Sequence, residues 1–141
     1  MRFKFFSLAV VAAALSVSVA TAAPTKGKPD KTGPNCRPKV AVVLKGTVAS
    51  AYDASASSFG MNVAHANRHG RAYVKASQPL SIMTDANTKV VKGDAPAQLS
   101  DLAVGDRILV KSKACRADLK GGATPQLTAK RVVDQGAPAS P

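Results

Sequence analysis

A chain of 141 residues can hold one small domain, which excludes a multidomain enzyme. Glu and Trp are absent while Gly, Pro, Ser, Thr and Val are common, so long helices are disfavoured and strands joined by turns are favoured. The formal net charge of +12 favours anionic partners such as nucleic acid, acidic polysaccharide or anionic lipid. Because the charges are spread along the chain, solubility alone is the alternative explanation.

Residues 1–22 are typical of a secretory signal peptide. Arg2 and Lys4 precede an apolar run, and the small residues at 20–22 (ATA) form a cleavage pattern. The apolar run is short and interrupted by serine, so we expect a cleaved signal rather than an uncleaved anchor. The sequence therefore predicts an exported protein, periplasmic or secreted, with no transmembrane span after cleavage.

Residues 23–38 are predicted to form a disordered basic arm, because Pro, Lys and Gly dominate and proline excludes both helix and central strand. Cys36 in this arm and Cys115 late in the chain are the two cysteines. In an exported protein such a pair favours a disulfide. The bond would close a loop of about 80 residues and contribute on the order of 4 kcal/mol in the chain-entropy model. Residues 136–141 are predicted to be a disordered tail.

Between these ends, residues 39–135 alternate apolar and polar side chains with a period of two, which is typical of strands. Strands are predicted over residues 40–52, 59–64, 72–76, 80–84, 107–115 and 126–134, with a weaker pattern over residues 88–91. Gly46 falls on the inward face of the first strand, where a sharp bend or a close backbone approach needs glycine. Ser100 or Asp101 can cap a single helical turn. The pattern predicts an all-β fold, a small OB-like β-barrel of five or six strands.

Four segments in order resemble a bacterial exported family described as domain of unknown function 5666. They are KGTV at residues 45–48, TDANT at 84–88, DLAVGDRI at 101–108 and AKRV at 129–132. The resemblance covers about residues 42–133 and implies an exported OB-like barrel, with no catalytic residues to transfer. The NRHGR loop at residues 67–71 and the cysteine pair depart from the family pattern.

Catalytic motifs are missing from the sequence. There is no G-x-S-x-G, no glutamate for a carboxylate pair and no glycine-rich phosphate loop. We therefore expect a non-enzymatic protein without a cofactor. His65 and His69 are the two histidines, and a metal-binding protein or enzyme built on them is the least favoured alternative, because no third ligand lies near them in sequence.

Basic residues in and around two late strands are the main candidates for binding. They are Arg107, Lys111, Lys113, Arg116, Lys130 and Arg131. The period of two places the first three on one outward face, and the others lie near that strand or its expected neighbour. Such a face can bind a polyanion, nucleic acid or acidic polysaccharide, without reading bases, since aromatic platforms are scarce. A solvated strand face is the alternative. The leading hypothesis is an exported binding or structural module of the cell envelope or medium, whose partner is an anionic polymer or an envelope protein.

Overall fold

The computed structural model describes Gly33 and residues 35–138, so the predicted signal peptide, most of the predicted arm and the last three residues lie outside the described residues. The described part contains seven strands: β1 (Lys39–Asp53), β2 (Ser58–Ala66), β3 (Leu80–Met83), β4 (Lys89–Lys92), β5 (Ala95–Ala97), β6 (Arg107–Cys115) and β7 (Leu127–Asp134). It also contains the four-residue helix α1 (Arg71–Val74) and two 3₁₀ turns, Leu99–Asp101 and Lys120–Gly122.

Five of these strands close into a barrel. β1 pairs antiparallel with β2 on one side and with β6 on the other. β2 also pairs with β3, and β6 with β7, and both of these pairings are antiparallel. The ring closes where β3 runs parallel to β7, with Ile82 opposite Leu127. This is the five-stranded Greek-key arrangement of the OB fold, which confirms the predicted all-β, OB-like barrel.

The remaining two strands form a hairpin outside this ring. β4 runs parallel to the second half of β7, from Lys89 opposite Arg131 to Lys92 opposite Asp134. β5 pairs with β4 and forms the edge of the sheet. The hairpin therefore widens the outer surface of the barrel beside β6 and β7.

At Gly46 the backbone of the long strand β1 comes very close to that of β2. The pairing register between β1 and β2 shifts between Lys45 and Gly46. A Cβ atom built on Gly46 would lie 1.8 Å from the backbone oxygen of Asn62. Only glycine allows so close an approach, in agreement with the sequence prediction.

The barrel interior is filled by alternating residues of the ring strands. These are Val42, Leu44, Val48, Phe59, Met61, Val63, Ile82, Ile108, Val110, Leu127, Ala129 and Val132. Full burial of a large apolar side chain contributes roughly 1.5–3 kcal/mol. Tyr73 from α1, Val90 from β4 and Leu102 join the same cluster.

Two segments differ from the sequence prediction. Residues 72–76, predicted as a strand, lie in and just after α1. There Tyr73 is fully buried, and its hydroxyl donates a hydrogen bond to the carbonyl oxygen of Pro125 at 2.7 Å. The alternating pattern of this segment therefore reflects the burial of Tyr73 rather than a strand. Burial also raises the pKa of Tyr73 to about 12. Residues 93–98 carry no strand pattern in the sequence, yet β5 forms within them as an edge strand, a position that tolerates Pro96.

Cys36 and Cys115 form the predicted disulfide, with their Cα atoms 5.9 Å apart. Both cysteines are buried. The bond fastens the segment before β1 to the end of β6, beside the pair formed by Lys39 and Cys115. Among the described helices, none has the length and apolar character needed to cross a membrane.

Candidate anion-binding face

Three basic residues lie side by side on the sheet, one on each of three neighbouring strands. Lys111 of β6 is paired in register with Arg131 of β7, and Arg131 is paired in register with Lys89 of β4. We call these three residues the cation row. Because neighbouring strands are about 4.8 Å apart, the three positions fall within roughly two strand spacings.

The cation row faces outward. Val110, Val132 and Val90, the chain neighbours of its members, are buried in the barrel core. Successive side chains of a strand point to opposite faces, so the row must point away from the core. All three basic residues are exposed.

Within residues 35–138 no carboxylate forms an ion pair with a member of the row, whereas two other lysines on these strands are paired. Lys130 Nζ lies 2.6 Å from Oδ2 of Asp85, and this hydrogen bond lowers the pKa of Asp85. Lys92 Nζ lies 2.9 Å from Oδ2 of the buried Asp134 and 3.4 Å from Oδ2 of Asp106. The contacts with Asp134 and then Asp106 raise the pKa of Lys92. The row is therefore a local surplus of positive charge.

The predicted binding residues separate into three groups in the structure. Arg107, Lys111 and Lys113 are exposed on the outward face of β6, as predicted. Arg107 and Lys113 lie along β6 on either side of Lys111, so they are on the same face as the cation row but not in it. Arg116 follows the end of β6 and is exposed beyond the sheet.

Lys130 and Arg131 point in different directions despite being neighbours. The register between β6 and β7 shifts after the pair of Lys111 with Arg131, so Ser112 pairs with Ala129. This bulge leaves Lys130 without a residue opposite it and free to turn toward Asp85. Only Arg131 of the two belongs to the row.

Sequence reasoning missed Lys89. Its strand showed only a weak pattern, and nothing in the sequence indicated that β4 would lie parallel to β7. The signal available was the alternation in KVVK at residues 89–92, which places Lys89 and Val91 on the face opposite Val90.

The two histidines do not form a common site. His65 lies on β2 opposite Lys45, whose positive charge disfavours a bound cation. His69 lies in the following loop, where its Nε2 accepts a hydrogen bond from Nε of Arg68 at 3.0 Å. Among the residues that the structure describes, no group of three His, Cys, Asp or Glu residues is arranged to hold a metal ion.

Neither the protein-family models nor the curated proteins contain a match to this chain. Among solved structures, the chain is similar to apo-CusF from Escherichia coli, with 10% identity and a TM-score of 0.44 over 68% of this chain and 88% of that one. It is also similar to a Cu(II) structure of a CusF variant from E. coli, with 11% identity and a TM-score of 0.41 over 65% and 88%. Similarities this low carry no information about function, and the resemblance to domain of unknown function 5666 stays a prediction.

Proposed function

We propose that the chain is an exported, non-enzymatic binding module that holds an anionic polymer on the outer face of β4, β6 and β7. The cation row is the observation that carries this proposal. Like charges directly opposite each other on neighbouring strands destabilise a sheet. Three of them in register, without a carboxylate partner among the described residues, carry a cost in stability that an anionic ligand would offset, and this supports the proposal.

Export is supported by the signal-like pattern of residues 1–22 and by the Cys36–Cys115 disulfide, since such bonds persist in oxidising compartments. The non-enzymatic role is supported by the lack of catalytic motifs in the sequence. A purely structural module without a ligand is the alternative that the binding experiment must exclude.

The experiment is binding of the purified protein to single-stranded DNA, an acidic polysaccharide and anionic vesicles, each at low and physiological salt. The double variant Lys111→Gln/Arg131→Gln is compared with Arg71→Gln/Lys75→Gln, which removes one Arg and one Lys from an exposed region around α1. We expect the row variant to bind at least about tenfold more weakly. On single-stranded DNA its salt slope should fall by roughly 0.7 for each lost contact.

Equal losses from the two double variants would mean that binding reports bulk charge, and the proposal would be wrong. Retention of a folded barrel in each variant is checked by circular dichroism. A variant carrying His65→Ala and His69→Ala, tested for metal content, addresses the remaining metal-binding alternative: unchanged content removes it.

A further inference from the structure

An aliphatic strip runs beside the cation row on the same outward face. Leu109 of β6 is paired in register with Val133 of β7, and Val133 with Val91 of β4. Each lies two residues along its strand from a member of the row, and each is partly exposed. Charged and apolar groups therefore form two parallel lines across three strands, about 7 Å apart along the strand direction.

The two lines meet in a cavity of about 410 Å³ on the outer face of the β4–β5 hairpin. Lys89 and Arg131 line one part of it, and Val91 and Pro96 line another. Its volume lies within the range of roughly 300–1,000 Å³ that is usual for small-ligand sites. A planar guanidinium can bind a carboxylate through two parallel hydrogen bonds, and the ammonium of Lys89 adds a point charge.

This face lacks the aromatic platforms that favour single-stranded nucleic acid. Single-strand binders stack bases on aromatic side chains. The aromatic residues in the described part of the chain are Tyr52, Phe59 and Tyr73. Phe59 and Tyr73 are buried in the core and Tyr52 packs against it, so none of the three lies on the face of the cation row. An anionic ligand here meets aliphatic groups, not stacking platforms.

We propose that the ligand is an acidic polysaccharide and that the cavity holds one carboxylate-bearing sugar ring. This inference rests on the proposed function and names its ligand class. The carboxylate binds Arg131 and Lys89, and the C–H face of the ring packs on Val91 and Pro96. Adjoining sugars follow the strip toward Leu109, with their carboxylates near Lys111.

The test is a calorimetric and NMR titration at physiological salt with three probes. They are a tetramer of galacturonic acid, a neutral galactose tetramer, and an oligothymidylate with the same number of charges. We expect the galacturonate alone to bind, with amide shifts centred on residues 89–91 and 131–133. Arg131→Lys keeps the charge but loses the planar guanidinium that can form two parallel hydrogen bonds, and we expect it to weaken binding roughly tenfold.

Two further variants sharpen the test. Val91→Thr keeps the shape but adds a hydroxyl to the apolar wall, and we expect severalfold weaker binding of the galacturonate. Lys75→Gln is the matched control, because it removes an exposed cation at the end of α1, away from β4, β6 and β7, and should leave the affinity nearly unchanged.

The outcomes separate this inference from the proposed function. The assignment of the cavity to a sugar is wrong if oligothymidylate binds equally well at the same residues, or if Arg131→Lys has the affinity of the original protein. The proposed binding of an anionic polymer would still stand in either case. Equal binding of the neutral tetramer also overturns this inference. If no anionic probe binds, or if Lys111→Gln/Arg131→Gln has no effect on any of them, the inference and the proposed function both fail.

Discussion

Gly46 is the residue at which a single added methyl group would disturb the barrel most directly. The carbon of that methyl group would lie 1.8 Å from the backbone oxygen of Asn62 in the paired strand, so neither side can move without breaking the β1–β2 ladder. We predict that Gly46→Ala lowers the free energy of unfolding by about 3 kcal/mol or more, measured by urea denaturation.

A second glycine provides the control for this prediction. Gly122 ends the 3₁₀ turn Lys120–Gly122 with a φ of 80°, and a methyl group on it would meet open space. Gly122→Ala should therefore cost only the left-handed backbone strain, roughly 1–2 kcal/mol. If Gly46→Ala were no more costly than Gly122→Ala, close packing against Asn62 would not be the reason for glycine in β1.

Individual residues also show what sequence patterns can and cannot predict. Alternation predicted that Gly46 and Leu44 face inward and that Lys111 faces outward, and the structure agrees. It did not predict that Lys89 stands beside Arg131, because alternation determines the face of a side chain and not its neighbour on the next strand. The sequence therefore predicted two of the three members of the cation row, Lys111 and Arg131, but not that the three residues form a row.

At the scale of elements, an asparagine side chain completes the sheet where β1 extends beyond β2. The Asn67 side chain donates a hydrogen bond to the carbonyl oxygen of Ala41 at 2.8 Å and accepts one from the amide of Val43 at 3.3 Å. Its backbone amide donates to the carbonyl oxygen of Val43 at 3.0 Å. This residue covers a strand edge that would otherwise be open to pairing with another chain.

We predict that Asn67→Ala lowers the free energy of unfolding by about 1–2 kcal/mol, because two side-chain hydrogen bonds to β1 are lost. Amide hydrogen exchange at Val43 should become roughly tenfold faster, since its N–H loses its acceptor. Asn62→Ala is the control, because Asn62 is exposed on β2 and its side chain has no hydrogen bond among the described residues. Unchanged exchange at Val43 in Asn67→Ala would mean that the Asn67 side chain does not protect this amide, and the prediction would be wrong.

Elements were predicted more successfully than their order. The long strands β1, β6 and β7 carry clear alternation and were found within a residue or two of their ends. The contact that closes the barrel, β3 with β7, consists of two residue pairs joined across more than 40 residues of chain. No local pattern encodes so short and distant a pairing, and neither α1 nor β5 has enough residues to show a period.

At the scale of the whole molecule, the disulfide and the binding face are separate systems. Cys36 and Cys115 join positions 79 residues apart and fasten the start of β1 to the end of β6. The cation row lies on β4, β6 and β7, which are held together by their own ladders. Loss of the disulfide should therefore reduce stability without removing the anion-binding face.

We predict that Cys36→Ser/Cys115→Ser lowers the free energy of unfolding by about 4 kcal/mol, because the unfolded chain regains the entropy of a loop of about 80 residues. Urea unfolding with and without reductant measures this: reductant should destabilise the original protein and leave the double variant unchanged. The folded variant should bind the anionic polymer with the same affinity as the original protein. A folded variant that had lost binding would mean that the segment before β1 belongs to the binding surface, and the cation row alone would no longer explain it.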